Sequence, residues 1–152
     1  MAKKHDNNIG RVFGDRYEII NVVGSGGSSV VYGVYDSVED RTVAMKMLSP
    51  EYESNHEAVK RFEQEVEILS LFSHPGIVKI YDKCLDGSPK YFIMEYVEGI
   101  TLKKHILSKG ALPKKEIFDI VKPTLSALAQ VHAKGIVHSD IKPHNVEVLA
   151  DG

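Results

Sequence analysis

Hydrophobic positions between residues 17 and 48 fall in short runs separated by polar or glycine-rich segments, a pattern that is typical of β-strands. Three segments rich in β-branched and aromatic residues, each bounded by Gly or Asp clusters, are predicted strands: 17–23, 30–35 and 42–48. Their short connections predict an antiparallel meander. The polar residues that precede it predict a flexible leader over residues 1–15.

The spacing of apolar residues changes to three and four after residue 57, which predicts an amphipathic helix to about residue 72. Two further strands, at 77–81 and 91–97, follow the helix and are separated by a turn. Residues 16–97 therefore predict an α+β unit, with a five-stranded antiparallel sheet and one helix.

Beyond Gly99 the pattern is mainly helical, with a short helix predicted at 101–110 and a longer one at 113–134. A short strand at 145–149 follows, with no second strand after it. Residues 98–152 therefore predict a partial helical unit. The apolar stripe of the longer helix is Ile117, Phe118, Val121, Leu125, Leu128 and Val131.

Composition narrows the class of protein. The 152 residues are 43% hydrophobic and 26% charged, which indicates a globular chain. The net charge of −2 argues against a general nucleic-acid binder, because such proteins usually carry an excess of Lys and Arg. No apolar run is long enough for a membrane segment, and the single Cys84 forms no internal disulfide. We therefore expect a cytoplasmic protein.

The first candidate site is a glycine- and serine-rich loop between the first two predicted strands. Its residues are Gly24, Ser25, Gly26, Gly27, Ser28 and Ser29. Backbone N–H groups of such a loop can contact phosphate oxygens, although a simple hairpin turn explains the loop equally well. A strand follows the loop where a Rossmann fold requires a helix, and the Gly-Lys-Ser/Thr of a Walker A loop is absent.

Two charged residues fall on faces that are otherwise apolar. Lys46 lies in the third predicted strand with apolar neighbours on both sides, and Glu65 lies within the apolar stripe of the predicted helix. Each charge needs a partner if it is buried, so we predict an ion pair between them. An exposed lysine and an exposed glutamate are the alternatives.

A polar segment, His138 to Asn145, combines an acid, a cation and an amide. Asp140 can act as a base toward a hydroxyl, Lys142 can stabilise a transferred phosphate, and Asn145 offers an amide oxygen to a metal ion. A polar loop without catalytic function is the alternative.

The order of these segments resembles the first half of a eukaryotic-type (Hanks-type) serine/threonine protein kinase domain, closest to the bacterial members. Besides the glycine loop, the matching motifs are Val43-Ala-Met-Lys46, His74-Pro-Gly-Ile-Val78, Met94-Glu-Tyr-Val97 and the segment 138–145. The resemblance implies a kinase small lobe followed by a partial helical large lobe, with ATP and Mg²⁺ as cofactors and a protein as substrate.

The resemblance also implies a role for each nucleotide-binding residue. Lys46 would hold the α- and β-phosphates of ATP while paired with Glu65. The backbone of Glu95 and Val97 would bind adenine. The remaining residues that it places around the nucleotide are the glycine loop with Val23, Val31, Ala44, Met94 and Glu147.

The catalytic roles implied by the resemblance fall in the polar segment. Asp140 would orient and deprotonate the substrate hydroxyl, Lys142 would stabilise the γ-phosphoryl group, and Asn145 would bind Mg²⁺. An Asp-x-Lys arrangement favours serine or threonine over tyrosine as the acceptor.

Several positions depart from the family pattern. Ser29 replaces a loop glycine, Ser139 replaces the usual Arg, and Glu147 occupies the position of an apolar residue beneath adenine. The 152 residues contain no Asp-Phe-Gly, so we expect impaired phosphoryl transfer by this chain alone. A non-catalytic, pseudokinase-like nucleotide-binding or interaction module is the alternative. The apolar stripe of the longer helix predicts a homo-oligomer.

Overall fold

The computed structural model describes residues 7–150. The strands are β1 (Val12–Phe13), β2 (Tyr17–Gly26), β3 (Ser29–Asp36), β4 (Arg41–Leu48), β5 (Ile80–Cys84), β6 (Tyr91–Met94), β7 (Gly99–Thr101) and β8 (Glu147–Leu149). The helices are α1 (His56–Ser70), α2 (Leu102–Lys109) and α3 (Lys114–Ala133), and Pro50–Tyr52 forms a short 3-10 helix. The chain divides into a first unit, residues 7–71 with 79–96, and a second unit, residues 72–78 with 97–150.

The first unit is an antiparallel sheet with one helix, which confirms the predicted α+β class. Its strand order is β1-β2-β3-β4-β6-β5, so the described sheet has six strands rather than the five predicted. The additional strand, β1, lies inside the predicted leader, of which residues 1–6 fall outside the described residues. It forms because Phe13 pairs with Tyr17 and packs edge-on against Tyr91, with ring centroids 5.8 Å apart.

The predicted strand at 77–81 is displaced along the chain. The backbone N–H of Ile77 donates to the carbonyl of His74 at 3.0 Å, so this residue belongs to a turn. Strand β5 begins three residues later and pairs with β6 from Ile80 opposite Met94 to Cys84 opposite Tyr91.

Helix α1 covers one face of the sheet in the first unit. Asn55 caps the helix by accepting a hydrogen bond from the backbone N–H of Ala58. Phe62 and Val66 are buried, and the Phe62 ring lies 5.2 Å from that of Phe92. Burial of each such side chain contributes about 1.5–3 kcal/mol, which fixes the helix on the sheet.

The second unit contains the two predicted helices and a small sheet. Thr101 caps α2 by accepting from the backbone N–H of Lys104. Strand β8, which the sequence left without a partner, pairs antiparallel with β7. Gly99 makes this pairing possible, because a Cβ there would collide with the backbone of Val148. Within residues 7–150, no helix has the length and apolar character that a membrane span requires.

Candidate functional site

The glycine loop is the tip of the hairpin formed by β2 and β3. Gly26 pairs with Ser29, so Gly27 and Ser28 form the two-residue turn. Gly27 has a φ of 57°, a conformation that favours glycine. A Cβ at Gly24, Gly26 or Gly27 would meet no atom within 4 Å, so the space beside these glycines is open.

The apolar residues assigned to the nucleotide lie on β2, β3, β4 and β6. Val23 is exposed, and Ser25 near it pairs with Val30. Val31 is half-buried, while Ala44 is buried and pairs with Met94. Val31, Ala44 and Met94 therefore lie on three neighbouring strands of the sheet, β3, β4 and β6.

Strand β4 places Lys46 on the face that carries α1. Val43, Met45 and Met47 belong to the core cluster on the opposite face, whereas Leu48 packs with Phe62 of α1. Within the sheet, Lys46 pairs with Val31 of the neighbouring strand β3. The alternation of the strand therefore directs this lysine toward the helix, as the sequence predicted.

The predicted ion pair between Lys46 and Glu65 is present. Lys46 Nζ lies 2.7 Å from Glu65 Oε1 and 2.9 Å from Glu65 Oε2. The lysine side chain is 22% exposed and the glutamate 41%, so both groups keep contact with solvent. Their attraction fixes the ammonium group in one position beside α1.

The backbone after β6 leaves the groups that the sequence assigned to adenine largely accessible. The backbone N–H of Glu95 donates to the carbonyl of Lys79 at 2.8 Å, and the Glu95 carboxylate accepts from the Lys79 N–H. Val97 begins the second unit, and its backbone makes no hydrogen bond to any residue between 7 and 150.

The polar segment 138–145 forms a loop in the second unit with its charged groups gathered together. Lys142 Nζ lies 3.1 Å from Asp140 Oδ2. This hydrogen bond is the main cause of the lowered pKa of Asp140, which therefore stays ionised at neutral pH. An ionised carboxylate of this kind accepts a hydrogen bond, or a proton, from a hydroxyl group.

Asn145 is held by the same loop. Its Nδ2 donates to the backbone carbonyl of Asp140 at 2.8 Å and approaches the carboxylate at 3.4 Å. No donor among residues 7–150 contacts its Oδ1, so the amide oxygen can serve as a metal ligand. The backbone N–H of Asp140 donates to His138 Nδ1, and Ser139 between them has a φ of 60°.

The start of α2 anchors this loop, a contact that the sequence analysis missed. The backbone N–H of Leu102 donates to the carbonyl of Val146 at 2.7 Å, and that of Lys103 donates to the carbonyl of Pro143 at 2.9 Å. These donors belong to the first turn of a helix, where N–H groups lack partners within the helix. The helix start predicted at residue 101 was the only sequence signal for this anchor.

Glu147 is exposed on β8, where it pairs with Thr101 of β7. The cost of a buried and unpaired carboxylate, which the family position led us to consider, therefore does not arise in the structure itself. Such a cost would arise only if a ligand covered the side chain.

Each unit, taken by itself, carries a donor group that suits one part of ATP with Mg²⁺. Lys46 supplies a fixed cation for phosphate oxygens, and Asn145 supplies an oxygen ligand of the kind that Mg²⁺ prefers. Across residues 7–150, no three His, Cys, Asp or Glu side chains gather to form a metal cluster. Mg²⁺ held by one or two protein ligands together with phosphates fits such a set.

Comparison with known sequences identifies the family. A family model of the protein kinase domain matches residues 17–151. The serine/threonine-protein kinase PrkC of Bacillus subtilis is 44% identical over 138 residues, which cover 91% of this chain and 21% of PrkC. The probable kinase PknB of Lactococcus lactis is 41% identical over 145 residues, or 95% of this chain and 23% of PknB. The chain spans about a fifth of the length of these relatives.

Solved structures agree with this assignment. The apo form of PpkA-294 has a TM-score of 0.85 at 25% identity, over 94% of this chain and 57% of that one. The kinase domain of Mycobacterium tuberculosis PknI has a TM-score of 0.76 at 29% identity, over 93% and 57%. The chain therefore belongs to the protein kinase family, with bacterial serine/threonine kinases among its relatives.

Proposed function

We propose that the chain binds ATP with Mg²⁺ and contributes the nucleotide site and catalytic loop of a serine/threonine protein kinase. The observation that carries the proposal is the ion pair between Lys46 and Glu65, at 2.7 Å. A lysine held by a carboxylate on a sheet next to a glycine hairpin is suited to phosphate oxygens.

The first unit supplies the nucleotide contacts in this proposal. The loop N–H groups from Gly24 to Ser29 and the Lys46 ammonium group bind the phosphates, while Val31 and Ala44 pack against adenine. The carbonyl of Glu95 hydrogen-bonds the adenine edge. By resemblance to the family, the backbone of Val97, which belongs to the second unit, is a further adenine contact. Val23 and Met94 border the same nucleotide.

The second unit supplies the chemistry. The substrate hydroxyl oxygen attacks the γ-phosphorus, the bond from that phosphorus to ADP breaks, and the hydroxyl proton passes to Asp140. Lys142 balances charge on the transferred group, and Asn145 would hold Mg²⁺. The bound cation would neutralise charge on the phosphates. The Asp140-x-Lys142 pattern assigns serine or threonine as the acceptor, by resemblance to the family.

A second candidate is a pseudokinase-like module that binds nucleotide or a partner without phosphoryl transfer. Glu147 favours it, because a carboxylate in the family's adenine-facing position disfavours the bound nucleotide.

Calorimetric titration with ATP and Mg²⁺, together with a phosphotransfer assay using [γ-³²P]ATP, separates the two candidates. The kinase proposal predicts ³²P in a protein acceptor, at a low rate, and its loss in Asp140→Asn. Binding of ATP without any ³²P transfer would favour the second candidate. Absence of both would contradict the kinase proposal and would restrict the second candidate to a module that binds a partner.

We also propose that the chain acts in the cytoplasm, where the free thiol of Cys84 is stable.

We further propose that the chain self-associates through α3. Phe118 and Leu125, which lie seven residues apart on one face of α3, are 70% and 59% exposed. Two large apolar side chains in one stripe favour contact with a second copy. Of the predicted stripe, Ile117 and Val121 are less exposed, and Leu128 and Val131 are half-buried.

A further inference from the structure

An apolar groove separates α2 from α3 in the second unit. It encloses about 270 Å³, whereas a cavity of about 150 Å³ holds a benzene-sized group. Large aliphatic side chains dominate its lining: Leu102, Ile106, Leu112, Ile117, Ile120 and Val121. The groove therefore has room for at least one large apolar side chain of a ligand.

The segment that forms the groove is strongly basic, although the whole chain has a net charge of −2. Residues 102–122 contain six lysines against Glu116 and Asp119, a local charge of 6 − 2 = +4. Lys109 and Lys115 pair with these two acids. The other four form no ion pair within residues 7–150 and are exposed: Lys103, Lys104, Lys114 and Lys122.

Helix geometry places one lysine of each helix at the same end of the groove. Leu102, Ile106 and Lys109 follow one another at steps of four and three, and therefore lie on one face of α2. One face of α3 likewise carries residues at steps of three and four, namely Lys114, Ile117 and Val121. The stripe that lines each wall thus ends in a lysine near the loop that joins the helices.

Glu116 holds the two walls together at this end. Its Oε1 lies 2.5 Å from Nε2 of His105, which is buried on α2, and 3.1 Å from Nζ of Lys109. Because one carboxylate joins both helices, the groove is fixed before any ligand arrives. A fixed groove loses little conformational entropy on binding.

We propose that this groove is a docking site for an acidic peptide segment of a partner protein, with an apolar side chain inserted between α2 and α3. The lysines provide charge complementarity, and the concave aliphatic lining provides the pocket. A lipid surface would instead contact the protruding side chains Leu107, which is 74% exposed, and Phe118. Neither of these residues lines the groove. The proposed self-association uses Phe118 and Leu125, and neither residue lines the groove.

Selection of random twelve-residue peptides displayed on phage against the purified chain tests the proposal. We expect enriched peptides to combine Asp or Glu with Leu, Ile or Phe. A synthetic peptide of the most frequent sequence should bind at least tenfold more weakly to Ile106→Ser and to Lys114→Glu. It should bind equally to the controls Leu107→Ser and Lys83→Glu, and more weakly as the NaCl concentration rises from 0.05 to 0.5 M.

Lys114→Glu changes an exposed residue, so it reports on the groove even if Ile106→Ser unfolds. The proposal would be overturned by failure to enrich any peptide, by enriched peptides without acidic residues, or by unchanged binding to Lys114→Glu. It would also be overturned if Ile106→Ser abolished self-association, or if the chain bound phosphatidylserine vesicles through Leu107 and selected no peptide.

Discussion

Lys46 on β4 and Glu65 on α1 are joined by two hydrogen bonds, 2.7 and 2.9 Å long, between the ammonium group and both carboxylate oxygens. Strand alternation brings the lysine to the face that α1 covers, and helix periodicity brings the glutamate to the face that meets the sheet. The pair therefore links the position of α1 to the position of the cation proposed to bind phosphate.

Replacement of Glu65 by Gln should lower the free energy of unfolding only slightly, by about 1 kcal/mol or less, because both groups remain partly in water. Urea unfolding followed by circular dichroism measures the change. Glu67→Gln, on the same helix but exposed and without an ion pair among residues 7–150, is the matched control and should have a smaller effect. Equal losses in the two variants would contradict a stabilising pair.

Stability should fall in acid through the buried Asp36. Hydrogen bonds from Arg16 lower the pKa of Asp36 to about 2, against burial that raises it. An acid whose pKa is lowered in the folded state stabilises the protein fully above its unfolded pKa, 3.8. That contribution is lost as the pH falls from about 4 to 2.

Urea midpoints measured across this range should decline with falling pH in the wild type and decline less in Asp36→Asn. At pH 7 the Asn variant should be less stable by about 1–3 kcal/mol, because its charge-assisted hydrogen bonds are lost. Asp86→Asn, at an exposed turn residue, is the control and should follow the wild type. A parallel decline in wild type and Asp36→Asn would count against this role.

Replacement of Glu147 by Leu should raise the affinity for ATP several-fold. The carboxylate is exposed in the structure, so its desolvation cost arises when adenine covers it. Isothermal titration calorimetry with ATP and Mg²⁺ measures the change, with Glu39→Leu in an exposed turn as control. Binding by the wild type at low micromolar strength, with no gain in the variant, would refute this prediction.

Light scattering should give a mass of at least a dimer for the wild-type chain. Leu125→Glu should shift the mass toward the monomer, because a charge would have to be buried at the contact. Leu107→Glu, on an exposed residue of α2, should leave the mass unchanged. A monomeric wild type would exclude self-association through α3.

Much of the fold could be predicted from the sequence because its elements carry regular local patterns. Runs of β-branched and aromatic residues mark β2, β3 and β4, and apolar residues at steps of three and four mark α1. Thr101 and Gly110 mark the two ends of α2. The pair Lys46–Glu65 could be predicted because each charge interrupts an apolar pattern, so the pairing followed from two local anomalies.

The parts that escaped prediction depend on contacts between distant residues. Strand β1 has two residues, too few for a period, and forms because Phe13 packs against Tyr91. Strand β7 is fixed by pairing with β8, about fifty residues later, where Thr101 lies opposite Glu147. The anchoring of the catalytic loop by the start of α2 likewise has no local signal, since backbone groups make it.

The central claim is that Lys46 binds the phosphates of ATP, and calorimetric titration of the Glu147→Leu chain with ATP and Mg²⁺ tests it most directly. The Glu147→Leu substitution is expected to raise the affinity for ATP, so that a decrease in affinity can be measured. The account predicts saturable binding that weakens at least tenfold when Lys46→Met is added, and is unchanged by Lys79→Met, an exposed lysine of the same unit. Equal affinity with and without Lys46, or no binding at all, would contradict it.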